Sequence, residues 1–184
     1  DPYGLIALFG GDKPFTTKLD GFFTNTDSMG EGASSDITGL IGQYAHGNEP
    51  SHHVAYLYAY AGEQWKTAEK VRFIMNDFYT DQPDGIIGNE DCGQMSAWYL
   101  LSSMGLYQVN PSDGVFVFGS PCFKKVEMKV RGGNTFTVEA PNNNKENIYI
   151  QKVYLNGKPY DKSYITYQQI MEGATLEIKM GNKP

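Results

Sequence analysis

Sulfur and imidazole are scarce in this chain. Its 184 residues include two cysteines, Cys92 and Cys122, and three histidines. Two thiols make no disulfide framework, so two free, partly buried side chains are expected. Positive charge is short as well: 15 Lys and Arg stand against 21 Asp and Glu, a net charge of −6. That balance argues against nucleic acid and against an anionic membrane surface as partners. No apolar run reaches the roughly 18 residues that a membrane-spanning helix needs, and no G-x-S-x-G elbow occurs. The chain also lacks an initiator methionine. It opens on "DPYGLIALF", helical in pattern with Pro2 at the first helical position, as expected of a piece of something longer.

What is present reads as globular: 40% hydrophobic and 20% charged residues. The hydrophobic period divides the chain in two. Up to Tyr107 it is helical. "KPFTTKLDGFF" carries Phe15, Leu19, Phe22 and Phe23 at spacings of three and four, and "HHVAYLYAYAG" predicts a helix stopped by Gly62. "EQWKTAEKVRFIMNDFY" aligns Trp65, Ala68, Val71, Met75 and Phe78, and "GQMSAWYLLSSMG" aligns Met95, Trp98, Tyr99 and Ser102 before Gly105. After Tyr107 the period falls to two, in "GVFVFG", "FKKVEMKV", "TFTVEA", "NIYIQKVYLNG" and "ATLEIKM". "YLNGKPY" carries an Asn-Gly hairpin signal. The expected fold is α+β, with helical residues 1–107 followed by an antiparallel β region at 108–184.

Two loops of similar construction stand out. "AHGNEPSHH" (residues 45–53) holds every histidine of the chain, and "GNEDCGQMSAW" (residues 88–98) sets Asn89, Glu90 and Asp91 ahead of a helix. Acids and amides there cap a helix N-terminus, and Asn48 or Glu49 occupies the cap position of the first loop. Each loop holds more polar groups than a cap requires. Gly47 and Gly88 precede the polar groups, where glycine allows close backbone approach to a ligand. Two helices separate Glu49 from Asp91, which returns the chain to one end of a helical array and lets both loops face one pocket.

The spacing of His46 and His52, six apart across Pro50, matches no zinc motif. Oxygen ligands from Asn48, Glu49, Glu90 and Asp91 suit calcium, without a loop signature. Cys92 sits beside Asp91, whose charge disfavours a thiolate. Paired carboxylates remain, the requirement of glycoside hydrolysis. Trp98 and Tyr99 are placed either to line a sugar subsite or to sit in the core.

On "QYAHGNEPSHHVAYLY" (43–58) and "GIIGNEDCGQMSAWYLLSSMGLYQVNP" (85–111), the chain resembles glycoside hydrolase family 92. The likeness continues through "FVFGSPCFKKVEMKV" and "NIYIQKVYLNGKPY" to "LEIKMGNKP" and so covers nearly the whole chain. The resemblance implies an inverting, calcium-dependent exo-α-mannosidase, exported to the periplasm or secreted, acting on terminal mannose of glycans, α1,2-linked first. It implies an N-terminal β-sandwich and an (α/α)₆ barrel, of which this chain is the last helices and a closing β stretch. The missing N-terminal portion would be its main partner, and the fragment alone is expected to self-associate and to lack turnover.

Carried over by residue, the resemblance places Asn48 and Glu49 at the mannose of the −1 subsite, with His46 meeting hydroxyls or supporting Glu49. Glu90 joins the substrate contacts. Asp91 is the general base, with Asn89 or Glu90 at the position of a second acid. The general acid belongs to a motif upstream of this chain. Two rival readings are a carbohydrate-binding module using Tyr149, Tyr154 and Tyr160, and a scaffold in which both turns are only caps.

Overall fold

Asp1 caps the first helix by accepting a hydrogen bond from the Gly4 amide at 2.8 Å. This computed structural model describes residues 1–27, 30, 34 and 37–184. Helix α1 spans Pro2–Leu8 and α2 spans Asp12–Thr24, which buries Phe15, Leu19 and Phe23 at the expected spacing.

The helix expected before Gly62 is broken. Two 3₁₀ turns, Glu49–Ser51 and Val54–Tyr56, lead into a single α-helical turn, α3 (Leu57–Tyr60). Side chains capture the carbonyls that a regular helix would use. Trp98 Nε1 donates to His52 O at 3.1 Å and Thr67 Oγ1 to Ala55 O at 2.9 Å. The amide of Tyr56 therefore bonds one residue short, to His53 O. Helices α4 (Gln64–Asp77) and α5 (Gln94–Ser103) complete the helical half and bury Val71, Ile74, Met75 and Trp98 in its core.

Among the described residues, ten strands form three sheets around these helices. A small hairpin, β1 (Leu40–Ile41) and β2 (Tyr44–Ala45), lies between α2 and the first polar loop. Beyond α5, β3 (Leu106–Tyr107), β4 (Val115–Phe118) and β9 (Tyr164–Thr166) form a three-stranded sheet in the order β3-β4-β9. A five-stranded sheet, ordered β5-β6-β10-β7-β8, is built from β5 (Lys125–Lys129), β6 (Thr135–Glu139), β7 (Tyr149–Leu155), β8 (Lys158–Pro159) and β10 (Thr175–Gly181). A short helix, α6 (Tyr167–Met171), starts from a capping box between Thr166 and Gln169.

The β region is not wholly antiparallel. β10 pairs parallel with β6 and antiparallel with β7. The long excursion between β6 and β10 leaves room for the crossover that a parallel pair needs. Leu106, Phe118 and Ile165 from the small sheet pack with Phe136, Val138, Leu176, Ile178 and Met180 from the large one. The predicted Asn-Gly turn is present: Asn156 and Gly157 adopt φ of 50° and 75° between Leu155 and Lys158, which pair. Gly157→Val should cost roughly 1–2 kcal/mol, because a branched residue resists the left-handed region. A urea midpoint unchanged from wild type would show that the turn relaxes freely.

Helix α4 joins the two halves. Arg72, almost wholly buried, donates from Nε to Ser120 Oγ at 2.9 Å and from a terminal nitrogen to Pro121 O and Asn143 Oδ1. Gln64 reaches Gly119 O at 2.9 Å, and Tyr149 donates to Glu69 at 2.7 Å. Among the described residues no helix is long and apolar enough to cross a membrane.

Candidate active site

The β1–β2 hairpin delivers residues 46–49. His46 is fully buried, and both ring nitrogens are occupied within the protein. Its Nε2 lies 2.7 Å from Tyr79 Oη and its Nδ1 lies 2.8 Å from Tyr44 Oη. Tyr79 gives its own proton to Met95 O at 3.2 Å. It therefore accepts from His46 Nε2–H, and Nδ1 accepts from Tyr44. Burial, with a smaller push from His52, drives the His46 pKa down to about 3. Of the two roles expected of His46, meeting sugar hydroxyls or supporting Glu49, its geometry suits support: the neutral ring is held within the protein by Tyr44 and Tyr79.

His52 stacks on it, ring centres 4.6 Å apart. Its Nε2 donates to His46 O at 3.0 Å, so Nδ1 accepts from Gln94 Nε2 at 3.1 Å. His53 turns the other way, into a shallow pocket with Asp1, Leu5 and Asn110. Burial lowers the pKa of both His52 and His53 as well.

These shifts fix a pH dependence. An unfolded histidine binds a proton near 6.5, whereas folded His46 does so only near 3. Between those values the unfolded state holds the extra proton, so stability falls as pH drops below 6.5, by up to about 1.4 kcal/mol per pH unit for this group. Thermal unfolding followed from pH 8 to pH 4 should show the midpoint falling across that window. A flat profile would mean that His46 accepts a proton where it stands.

The second loop leads into α5 by an unusual route. Asp91, Cys92 and Gly93 take φ of 49°, 56° and 93°, three left-handed residues in succession. Only the last is a glycine, so the turn carries strain. Glu90 holds the helix end: its carboxylate accepts from Ser96 N at 3.1 Å and from Ser96 Oγ at 3.0 Å. Expected among the substrate contacts, Glu90 is exposed and spends both carboxylate oxygens on Ser96 in the first turn of α5, whose N-cap is Gly93. Asn89 is exposed beside it, and Asn48, half-buried, makes no capping bond with its side chain.

Glu49 and Asp91 are both exposed, one on each loop, and Glu49 lies close enough to act on the Asp91 carboxyl. The hydrogen bond to Glu49 is the main cause that raises the Asp91 pKa; desolvation and the Glu49 charge add to it, and His52 opposes them. The ring nitrogens of His46 and His52 are bound within the protein, so these two imidazoles brace the first loop.

Trp98, weighed between subsite and core, is in the core, its ring 4.4 Å from that of His46. Both cysteines are free; Cys92 is exposed, and Cys122 contacts Met75 Sδ at 3.6 Å. Tyr44, Tyr79 and Gln94 were not singled out from the sequence. Their positions within helical or strand patterns mark them as ordinary packing residues, and only the geometry links them to the histidines.

The sequence model of the glycosyl hydrolase family 92 catalytic domain matches residues 1–182. The chain belongs to glycosyl hydrolase family 92. A solved family 92 α-mannosidase from Bacteroides thetaiotaomicron, in complex with mannoimidazole, is 44% identical, with TM-score 0.89 over 95% of this chain and 23% of its own. A family 92 inverting mannosidase of the same organism is 37% identical, with TM-score 0.85 over 100% of this chain and 26% of its own. An uncharacterized secreted glycosidase of Arthroderma benhamiae is 32% identical over 97% of this chain and 21% of its length. The chain thus spans about a fifth to a quarter of these family 92 relatives.

Proposed function

We propose that a protein containing this chain is an inverting exo-α-mannosidase that removes terminal α-linked mannose, α1,2-linked first, from glycans outside the cytoplasm. The observation that carries this reading is the meeting of Glu49 and Asp91 at an exposed junction of two loops. Similarity to an α-mannosidase solved with mannoimidazole and to an inverting mannosidase supports it.

In this reading Asp91 is the general base. Its raised pKa suits it to take a proton from the water that attacks the anomeric carbon. Glu49 and Asn48 orient that water and the sugar hydroxyls, and Asn89 borders the base. His46, His52 and Trp98 hold Glu49 in place without touching the sugar. The proton given to the leaving oxygen comes from a general acid in the rest of the protein, which also completes the pocket.

Calcium fits the donor set in part. The two facing carboxylates, Glu49 and Asp91, with the amide oxygen of Asn48, are hard oxygen donors of the kind it prefers. Among the described residues no group of three or more His, Cys, Asp or Glu forms a complete site. Those oxygens would hold one side of the ion, with substrate, water and the rest of the protein on the other. When bound, calcium would supply positive charge beside the sugar hydroxyls.

The binding-module alternative would rest on Tyr154 and Tyr160, which line one surface pocket with Gln151, Lys152 and Pro159. Tyr149, Tyr154 and Tyr160 are half-buried, and the Tyr149 hydroxyl is bound to Glu69. The test is α1,2-mannobiose hydrolysis by the full protein, followed by proton NMR. β-Mannose should appear first, and a chelator should abolish release until calcium is restored. Initial α-mannose, or no release at all, would overturn the proposal.

A further inference from the structure

The glycines before the two polar groups lie against each other. A Cβ at Gly88 would lie 3.2 Å from Gly47 Cα and 2.8 Å from Thr38 Oγ1. A Cβ at Gly47 would lie only 1.9 Å from the same Thr38 oxygen. One hydroxyl therefore touches both loops at once. Gly47 has ordinary backbone torsions, so its need for glycine comes from crowding rather than from conformation. Gly88, at φ 87°, needs glycine on both counts.

Thr38 is fixed from its own side. Its carbonyl accepts from Gly47 N at 3.0 Å, and the neighbouring Gly39 O accepts from His46 N at 3.0 Å. Both bonds extend the β1–β2 pairing toward the site. The Thr38 hydroxyl is buried, with no hydrogen-bond partner among the described residues. Its contacts with both glycines are steric. Asn48–Glu49 follow Gly47 directly, and Asn89–Asp91 follow Gly88 directly, so whatever sets the distance between the glycines sets the approach of the two carboxylates.

We propose that Thr38 is a positioning residue: wedged between Gly47 and Gly88, it sets the separation of the two loops and with it the meeting of Glu49 and Asp91. This rests on the hydrolytic reading above. It concerns a residue outside both sequence motifs, and it acts through backbone contact rather than through the substrate.

The test is a double-mutant cycle in the full protein, with kcat, KM and the melting midpoint measured for each variant. Gly47→Ala should lower kcat about 100-fold with KM within threefold, because displacement of a reacting group by roughly an ångström has that effect. Thr38→Ala should lower kcat about 10-fold. The double variant should return to within about threefold of Thr38→Ala alone, since removal of the hydroxyl makes room for the new methyl group. Losses in kcat that multiply would show that the two residues act independently and would overturn the proposal. So would a change confined to KM, which would mean contact with the sugar, or coupling seen only in the melting midpoint. A mannosidase that keeps full turnover as Asp91→Asn would instead sink the catalytic reading, and the kcat coupling would still report on Thr38.

Discussion

Asp91→Asn should reduce kcat by about 10²- to 10⁴-fold, the range that general-base catalysis supplies, while KM moves less than threefold. The substitution keeps the size of the side chain and an oxygen acceptor, so the left-handed turn at 91–93 can persist. It removes the basic oxygen that the water must reach. Loss of turnover with retained binding of a mannose-like inhibitor would identify Asp91 as the base. Full activity would move the base elsewhere and leave Asp91 as a turn residue only. Glu49→Gln separates the partners of the pair. With the opposing carboxylate gone, the main cause of the raised Asp91 pKa disappears, so the acid limb of any remaining activity should move to lower pH.

Trp98→Ala should be among the most destabilising single changes in the helical half, about 3–5 kcal/mol. Trp98 is the largest fully buried side chain. Its indole lies nearly parallel to Tyr79, ring centres 5.9 Å apart, and edge-on to His46. Its N–H also holds the His52 carbonyl outside a regular helix. Trp98→Phe isolates that last role: most of the volume stays, the hydrogen bond goes, and about 1–3 kcal/mol should be lost because a buried carbonyl is left without a donor. Unfolding monitored by calorimetry in the full protein distinguishes them. Equal losses for the two variants would assign the stability to the hydrogen bond rather than to the packed ring.

Much of this architecture was legible in the residues. Apolar spacings of three and four located α2, α4 and α5, and alternation located β4 to β7 and β10. The Asn156–Gly157 turn followed from two letters. The broken helix after Pro50 was not legible, because its cause lies in Trp98 and Thr67, distant in sequence, which take carbonyls from it. The parallel pairing of β10 with β6 escaped for a similar reason: a period of two fixes which face is buried, not which neighbour lies beside it. At the site, the return of two loops to one end followed from counting helices. The burial of His46 did not, since an imidazole among polar neighbours reads as exposed until Tyr44 and Tyr79 are seen to take both nitrogens. Glycine at 47 and 88 was visible, but the threonine that requires it was not.

The position of β10 in the middle of the large sheet bears on biosynthesis. As the chain leaves the ribosome, β5 pairs with β6 and β7 pairs with β8 within short hairpins. Among the described residues no strand pairing joins those hairpins until residues 175–181 arrive and bind both. Two unpaired strand edges therefore wait through the synthesis of β9 and α6, open to capture by other nascent chains or by a chaperone. A premature stop before Thr175 would leave two hairpins with no strand pairing between them rather than a slightly smaller sheet.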